Sequence, residues 1–502
     1  MTFWQKRILF IFGLLFGFNL GCSYAQTYDP PLRIELEVEP NKYPYHLRVM
    51  GENGLVLISR NNPKDVGKWT ISHYDTNFTL LLKKDIPLGI PLVLSSVRSD
   101  ANNFYALLQS PSSNKENFAN SYIISYNIRS KKIDVFSFYL PDKHSVSSIA
   151  YLGDIFLINT YTSKNDEHIY LFNKKTLALN ELYTNRNFPI ELQQCFQDTL
   201  TNSLWAVVKF FISKQQTIFT LTQLDGNGKI IFEKDIIADD TYYLNSASIC
   251  RMDSSSMILV GDYLFNDKNT FTTQNNNSGF FTILLTDNEI ENITYNSYDA
   301  IDGLGESGKK KTDLYNNSYI ATYNDSMLIY VSDFFTPEYV HEVYPDNRSI
   351  SYGIWGGPSY SSTNAKLVGF KYHTAYLFII DKSGKMTWYN AFNYNGLLFK
   401  SVNNVVKAYI DTENYNTLYY FGFDGKLYSI INNRSEIIQP LSIETIDLQS
   451  RFLSVGTNLL YQCSHWYNNN FIYYGYQRLN NKYANPRKNN KYVFYVNKLV
   501  YE

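Results

Sequence analysis

The chain has 502 residues, enough for two or three average domains or one large domain built from repeats. Lys and Arg number 45 against 46 Asp and Glu, a formal net charge of -1, so no global field draws in a polyanion and nucleic acid is excluded as an expected partner. Aromatic residues reach 17% with 44 Tyr, a composition that suits half-buried strands more than helices.

At the N-terminus Lys6 and Arg7 precede an apolar run, Ile8 to Phe18, that is too short to span a bilayer. Residues 1–25 therefore read as a secretory signal. Ser23-Tyr24-Ala25 supplies the small residues that signal peptidase requires, and Gln26 becomes the new N-terminus. A second reading takes Leu20-Gly21-Cys22 as a lipoprotein box with Cys22 carrying lipid, although Asn19 stands where that box wants an aliphatic residue. Both readings export the chain to the periplasm, cell surface or exterior, and no later stretch is apolar enough for a membrane helix.

Residues 26–502 read as one repeat-built domain. Strand, turn and strand recur around Asp75, Asn127, Asn173, Asp225, Asp287, Asp381, Asp424 and Asn480, most intervals being about 45 to 60 residues. Asp, Asn and Gly tolerate the left-handed dihedrals of a tight hairpin. The clearest copies are Asp225-Gly-Asn-Gly228-Lys, Asp381-Lys-Ser-Gly384-Lys and Asp424-Gly425-Lys. The interval matches a four-stranded blade, and a helical i, i+3, i+4, i+7 stripe is nowhere sustained. The fold expected is an all-β propeller of about eight blades, with seven or nine as neighbouring counts. Strands at both chain ends, Leu32 to Val38 and Tyr492 to Val496, suit a ring closed by its first strand. The doubled interval from Asp287 to Asp381 holds strand runs at Tyr319 to Tyr323, from Met327, at Tyr339 to Tyr344 and at Lys366 to Phe370, enough for an extra blade or an elaborate insertion, with an irregular region around 299–365.

The export signal, the Asn, Tyr and Lys richness and the Asp-Gly-Asn-Gly-Lys turn together resemble secreted propeller proteins of Bacteroidota. That resemblance implies a propeller in the envelope and carries no residue role with it.

Chemical motifs are sparse. Gly303 to Lys309 has phosphate-loop spacing, but Lys310 stands where Ser or Thr must reach magnesium and the flanks are neither strand end nor helix start, so no nucleotide is expected. The Asp turns hold too few carboxylates for calcium. The Asp381 copy, ending at Trp388, faintly matches quinoprotein repeats but lacks their recurrence, and no cofactor is expected. Cys195, Cys250 and Cys463 are scattered without metal spacing and read as buried thiols. No Gly-x-Ser-x-Gly elbow occurs. Glu306, Asp333, Glu338, Glu342 and Asp346 are the acids a polysaccharide-cleaving propeller would draw on, set against a reading as solvated loop charge.

Binding is better motivated. Trp355 and Tyr360 lie in a Gly, Ser and aromatic segment, and His465, Trp466 and Tyr467 form a second cluster. Such rings stack on sugar or peptide, or plug the gap between blades. The sequence thus points to an exported, non-enzymatic propeller binding a glycan or a protein of the bacterial envelope. A propeller enzyme acting on polysaccharide is the alternative, and an outer-membrane barrel is a third reading.

Overall fold

The computed structural model describes residues 32–500 except 41, 43, 61–66, 101, 111–117, 142–143, 163–165, 214–215, 266–277, 288, 292, 299–314, 343–363, 400–401, 403, 411–417, 422–425, 432–433, 441–451, 469 and 482–489. Among the described residues nearly every segment is strand and none is α-helix. The strands form eight antiparallel sheets, the eight blades that the repeat interval implies. Blades 1 to 8 span residues 45–87, 93–141, 145–181, 190–236, 242–297, 315–399, 407–440 and 452–500.

Ring closure follows the expectation. Arg33–Val38 pairs antiparallel with Asn490–Val500, from Arg33 opposite Asn497 to Val38 opposite Tyr492, and so provides the outermost strand of blade 8. Arg33 fixes that strand further: its guanidinium donates to Gln477 Oε1 at 2.9 Å and to Asn497 Oδ1 at 3.3 Å.

Each blade meanders outward from a first strand, and the first strands of successive blades touch one another around the axis. This order gives the ring two unlike ends. One, here the hairpin face, carries the turns from first to second and third to fourth strands. The other, the entry face, carries the second-to-third loops and the connections into each next blade.

The Asp motifs belong to the hairpin face. In blades 1, 4 and 6 the carboxylates of Asp75, Asp225 and Asp381 accept the amides two and four residues on, at 2.8 to 3.0 Å. The residue three along adopts a left-handed conformation: Gly228 at φ 83° and Gly384 at φ 77°. At Gly384 space is short as well, since a Cβ would lie 3.2 Å from Thr282 Oγ1 of blade 5, whereas one on Gly228 would make only ordinary contact with Leu171 and Ile155 of blade 3. Blade 1 breaks the pattern, because Phe78 holds the same position at φ 64° without being glycine. Its ring leans on blade 8, stacked on Trp466 at 5.7 Å with planes 13° apart.

Neighbouring sheets bury each other's faces. Trp69, Ile71, Phe104 and Ile124 belong to the core between blades 1 and 2, and Trp205, Phe219, Leu259 and Phe281 to that between blades 4 and 5. Because both faces are covered, second strands are continuous apolar runs such as Leu55–Ser59, buried throughout.

Four second strands end that run on a buried polar residue, always the seventh: Gln109, Lys209, Asp262 and Asp333. Each reaches the chain entering the next blade. Gln109 donates to the His144 carbonyl at 2.5 Å, Lys209 Nζ donates to the Asn245 carbonyl at 2.6 Å, and Asp333 accepts the Val405 amide at 3.2 Å. Asp262 binds side chains of blade 6 instead. A polar group sealed between sheets is costly unless paired, so this one position acts as a repeated latch.

The strand runs read within the doubled interval belong to blade 6. Tyr315–Tyr323 and Met327–Glu342 are its first and second strands. Strand length accounts for part of the interval: the second strand has 16 residues and the third, Asn364–Asp381, has 18, against five to eleven in the second strands of blades 1 to 5.

Candidate binding face

The long hairpin of blade 6 projects from the entry face. Among the described residues the first strand pairs from Tyr315, opposite Phe335, and residues 336–342 are paired with the third strand. Seven residues of strand rise about 23 Å. Along this stretch Pro337 supplies no amide and Glu338 adds a charge, both of which discourage indiscriminate strand pairing. The arm is rooted in rings. Phe335 packs on Tyr372 at 5.2 Å and on Tyr315 at 5.9 Å, beside Val405 of the segment entering blade 7. Beyond the root, Tyr339 is 51% exposed, with Leu367, Val368 and Leu398 exposed as well.

Exposed aromatic side chains are unequally shared between the two faces. Tyr139, Tyr161, Phe188, Phe265 and Tyr339 lie toward the entry face, and among the described residues only Tyr323 is its counterpart on the hairpin face. Apolar rings held in water at one end of a rigid ring form a surface that gains by being covered.

Two buried acids hold the arm's base. Asp262 Oδ1 accepts the Tyr298 and Tyr330 hydroxyls at 3.1 and 3.0 Å, while Oδ2 accepts Asn316 Nδ2 and Ser246 Oγ, each at 3.1 Å. Burial lifts its carboxyl above the ordinary range despite those donors. Asp333 repeats the arrangement one blade on: Tyr394 donates to Oδ1 at 2.7 Å and the Val405 amide to Oδ2. Blade 6 is thereby locked on one side to blade 5 and on the other to blade 7. Lys209 faces a related constraint, enclosed by Phe211 and Tyr243 at 5.0 and 5.2 Å, and burial holds its amine down at about 8.

The acids considered for catalysis separate here. Asp333 is not a solvated loop charge; it is fully buried with its oxygens occupied. Glu338 stands on the arm, the Glu342 side chain, Glu306 and Asp346 lie outside the described residues, and no pair is brought together by what is described. Among the described residues no three His, Cys, Asp or Glu converge as metal ligands. Cys195 and Cys250 are free thiols on first strands, Cys195 raised by burial to about 12; the Cys463 side chain lies outside the description.

The aromatic candidates also part company. Trp355 and Tyr360 lie outside the described residues, as does Cys22, but the strands that bracket the former two end on the entry face. His465, Trp466 and Tyr467 sit at the opposite, hairpin end, on the seam between blades 8 and 1. Trp466 is 4% exposed, and its Nε1 donates to the Gly54 carbonyl at 2.9 Å. Lys498 lies over the Trp466 and Tyr467 rings at 5.6 and 5.3 Å and donates to the Tyr467 hydroxyl at 2.7 Å. His465 Nε2 contacts the Asn468 carbonyl at 2.7 Å, and burial lowers its imidazole. Asp262 and Lys209 escaped the sequence reading. Their only signal is a polar residue closing an apolar run, repeated at blade spacing.

No protein-family model matches the chain, and no curated protein does. Solved structures share its general form. An acylaminoacyl peptidase of Pyrococcus horikoshii matches at 11% identity and TM-score 0.34, covering 77% of this chain and 51% of its own. A putative 6-phosphogluconolactonase of Bacteroides fragilis matches at 9% and 0.35, covering 83% and 96%. Prolyl oligopeptidase B of Galerina marginata matches at 9% and 0.40, covering 88% and 56%. The chain spans about half the length of the two peptidases, and likeness of this degree assigns it no activity. No helix among the described residues is long and apolar enough to cross a membrane.

Proposed function

We propose that the chain is an exported, non-enzymatic β-propeller that binds a protein or glycan of the bacterial envelope through its entry face. The observation that carries this reading is the one-sided display of exposed rings together with the blade 6 arm. Two features make it a recognition surface rather than a loose flap: rigid anchorage by Asp262 and Asp333, and an edge guarded by Pro337 and Glu338. The charge of -1 and the sequence of residues 1–25 support an uncharged mode of contact outside the cytoplasm.

The test compares the full mature chain with a variant carrying Tyr339→Ser, Leu367→Ser and Leu398→Ser. Capture from envelope extract and retention on a polysaccharide panel are measured for both. The variant is expected to melt within about 2 °C of the parent and lose tenfold or more of its binding. Equal binding by the two proteins refutes the arm's role, and turnover of any panel polysaccharide by the parent replaces the binding role with the enzymatic one.

A further inference from the structure

The first strands of blades 1 and 2, Tyr45–Val49 and Val93–Ser99, form adjoining parts of the axial wall. Arg48 and Arg98 hold equivalent places on them. Each stands opposite the second residue of its blade's second strand or the one after it, Val56 and Tyr105 respectively. Their anchorage is also equivalent. Arg48 Nη2 donates to the Val97 carbonyl at 3.0 Å, and Arg98 Nε donates to the Ile149 carbonyl of blade 3 at 2.9 Å. One N–H of each guanidinium thus fixes it to the neighbouring wall, and Arg48 Nε is buried without a partner.

Neither arginine forms an ion pair among the described residues. Ala150, Phe196 and Cys250 stand opposite the third residue of the second strand in blades 3, 4 and 5. Asp100, two residues beyond Arg98, turns its carboxylate onto the Asn102 and Asn103 amides at 2.6 and 2.7 Å rather than into an ion pair with either arginine. Burial and the Arg98 charge both hold the Arg48 guanidinium below its usual value, and Arg98 is felt as far as the Cys195 thiol of blade 4. His46, two residues before Arg48, is solvent-exposed, yet burial and Arg48 lower its imidazole.

Two preset guanidiniums without a carboxylate between them make a fork for an oxyanion. We propose that the axial wall between blades 1 and 2 binds a single oxyanion group, a carboxylate, sulfate or phosphate, between Arg48 and Arg98. The site stands apart from the arm of blade 6, so it succeeds or fails independently of the proposed function. It differs from a purely structural latch in one respect: without an anion the two charges repel, and with one they cooperate.

The experiment follows thermal unfolding of the full mature chain in sodium sulfate, phosphate and acetate against sodium chloride at matched ionic strength, with Arg48→Gln and Arg98→Gln alongside. Equilibrium dialysis of labelled sulfate gives stoichiometry. The parent is expected to gain several degrees in at least one oxyanion and to bind one equivalent, with affinity falling tenfold or more in each variant while melting in chloride stays level or rises. Comparing the three salts assigns the preferred group. A response that follows ionic strength alone, or is the same in parent and variants, overturns the proposal. If Arg48→Gln fails to fold, the exposed Arg98 decides it, Arg98→Lys being expected to retain part of the response and Arg98→Gln none.

Discussion

Two seams of this ring solve one problem with opposite chemistry. Between blades 5, 6 and 7 the chain runs on from blade to blade, and the joint is made by Asp262 and Asp333 sealed among tyrosine hydroxyls. Between blades 8 and 1 the joint is made by packed rings: Phe78 on Trp466, Trp466 against Tyr467 and Lys498 above both. A buried carboxylate is directional and demanding, and it suits a joint whose halves follow one another along the chain. The closing joint brings together segments far apart in sequence, where broad apolar contact supplies free energy without exact alignment.

The sharpest way to break that contrast is Trp466→Ala, which removes the closing ring and its hydrogen bond to the Gly54 carbonyl, leaving that oxygen only the Met50 amide; a loss of about 3 to 5 kcal/mol is expected in denaturant unfolding. Asp333→Ala should cost about 2 to 4 kcal/mol, because the Tyr394 hydroxyl and the Val405 amide are left without their acceptor, and Asp333→Asn should cost distinctly less.

Lys209 gives a pH test of the polar latches. Its folded-state value near 8 lies below the unfolded value of about 10.4, so the unfolded chain holds the proton more tightly between those limits. Stability from this group therefore rises as pH climbs from about 8 toward 10, by up to about 3 kcal/mol, and Lys209→Met should flatten that rise in pH-dependent melts. The smallest effect is expected for Phe78→Gly. Relief of a left-handed non-glycine backbone, about 1 to 2 kcal/mol, opposes the lost stacking, leaving a net change within about 1 kcal/mol. A red shift of Trp466 emission without a large change in midpoint would confirm the offset.

The hairpin turns were legible because Asp225 and Asp381 advertise them, with Gly228 and Gly384 three residues later. Even Asp75 could be read, although Phe78 replaces the glycine for reasons only the neighbouring blade explains. The closing strand was legible too, from its alternation near the start of the domain. What stayed hidden is whatever register creates. Nothing local distinguishes Asp333 from a loop acid until the Tyr394 hydroxyl and the Val405 amide are seen to meet it, and the length of the Met327–Glu342 strand let the interval of blade 6 read as an extra blade or an insertion. Asn480 shows the converse. It lies near the end of a second strand on the entry face, opposite Asn490, instead of at a third-to-fourth turn like Asp75, Asp225 and Asp381, while Asp424 lies outside the described residues. Trp355 and Tyr360 had the right composition for a binding loop and fall between strands that end on the entry face, whereas His465 to Tyr467 had the same composition and belong to the seam.

Arg33 meets its partner Asn497 across 464 positions of chain. A polypeptide made from its beginning holds that first ribbon idle until residues 492–497 have emerged, and such long-range pairing is slow to form. Synthesis alone therefore postpones the locked state, and a chain stopped short of Asn490 leaves that ribbon without its neighbour.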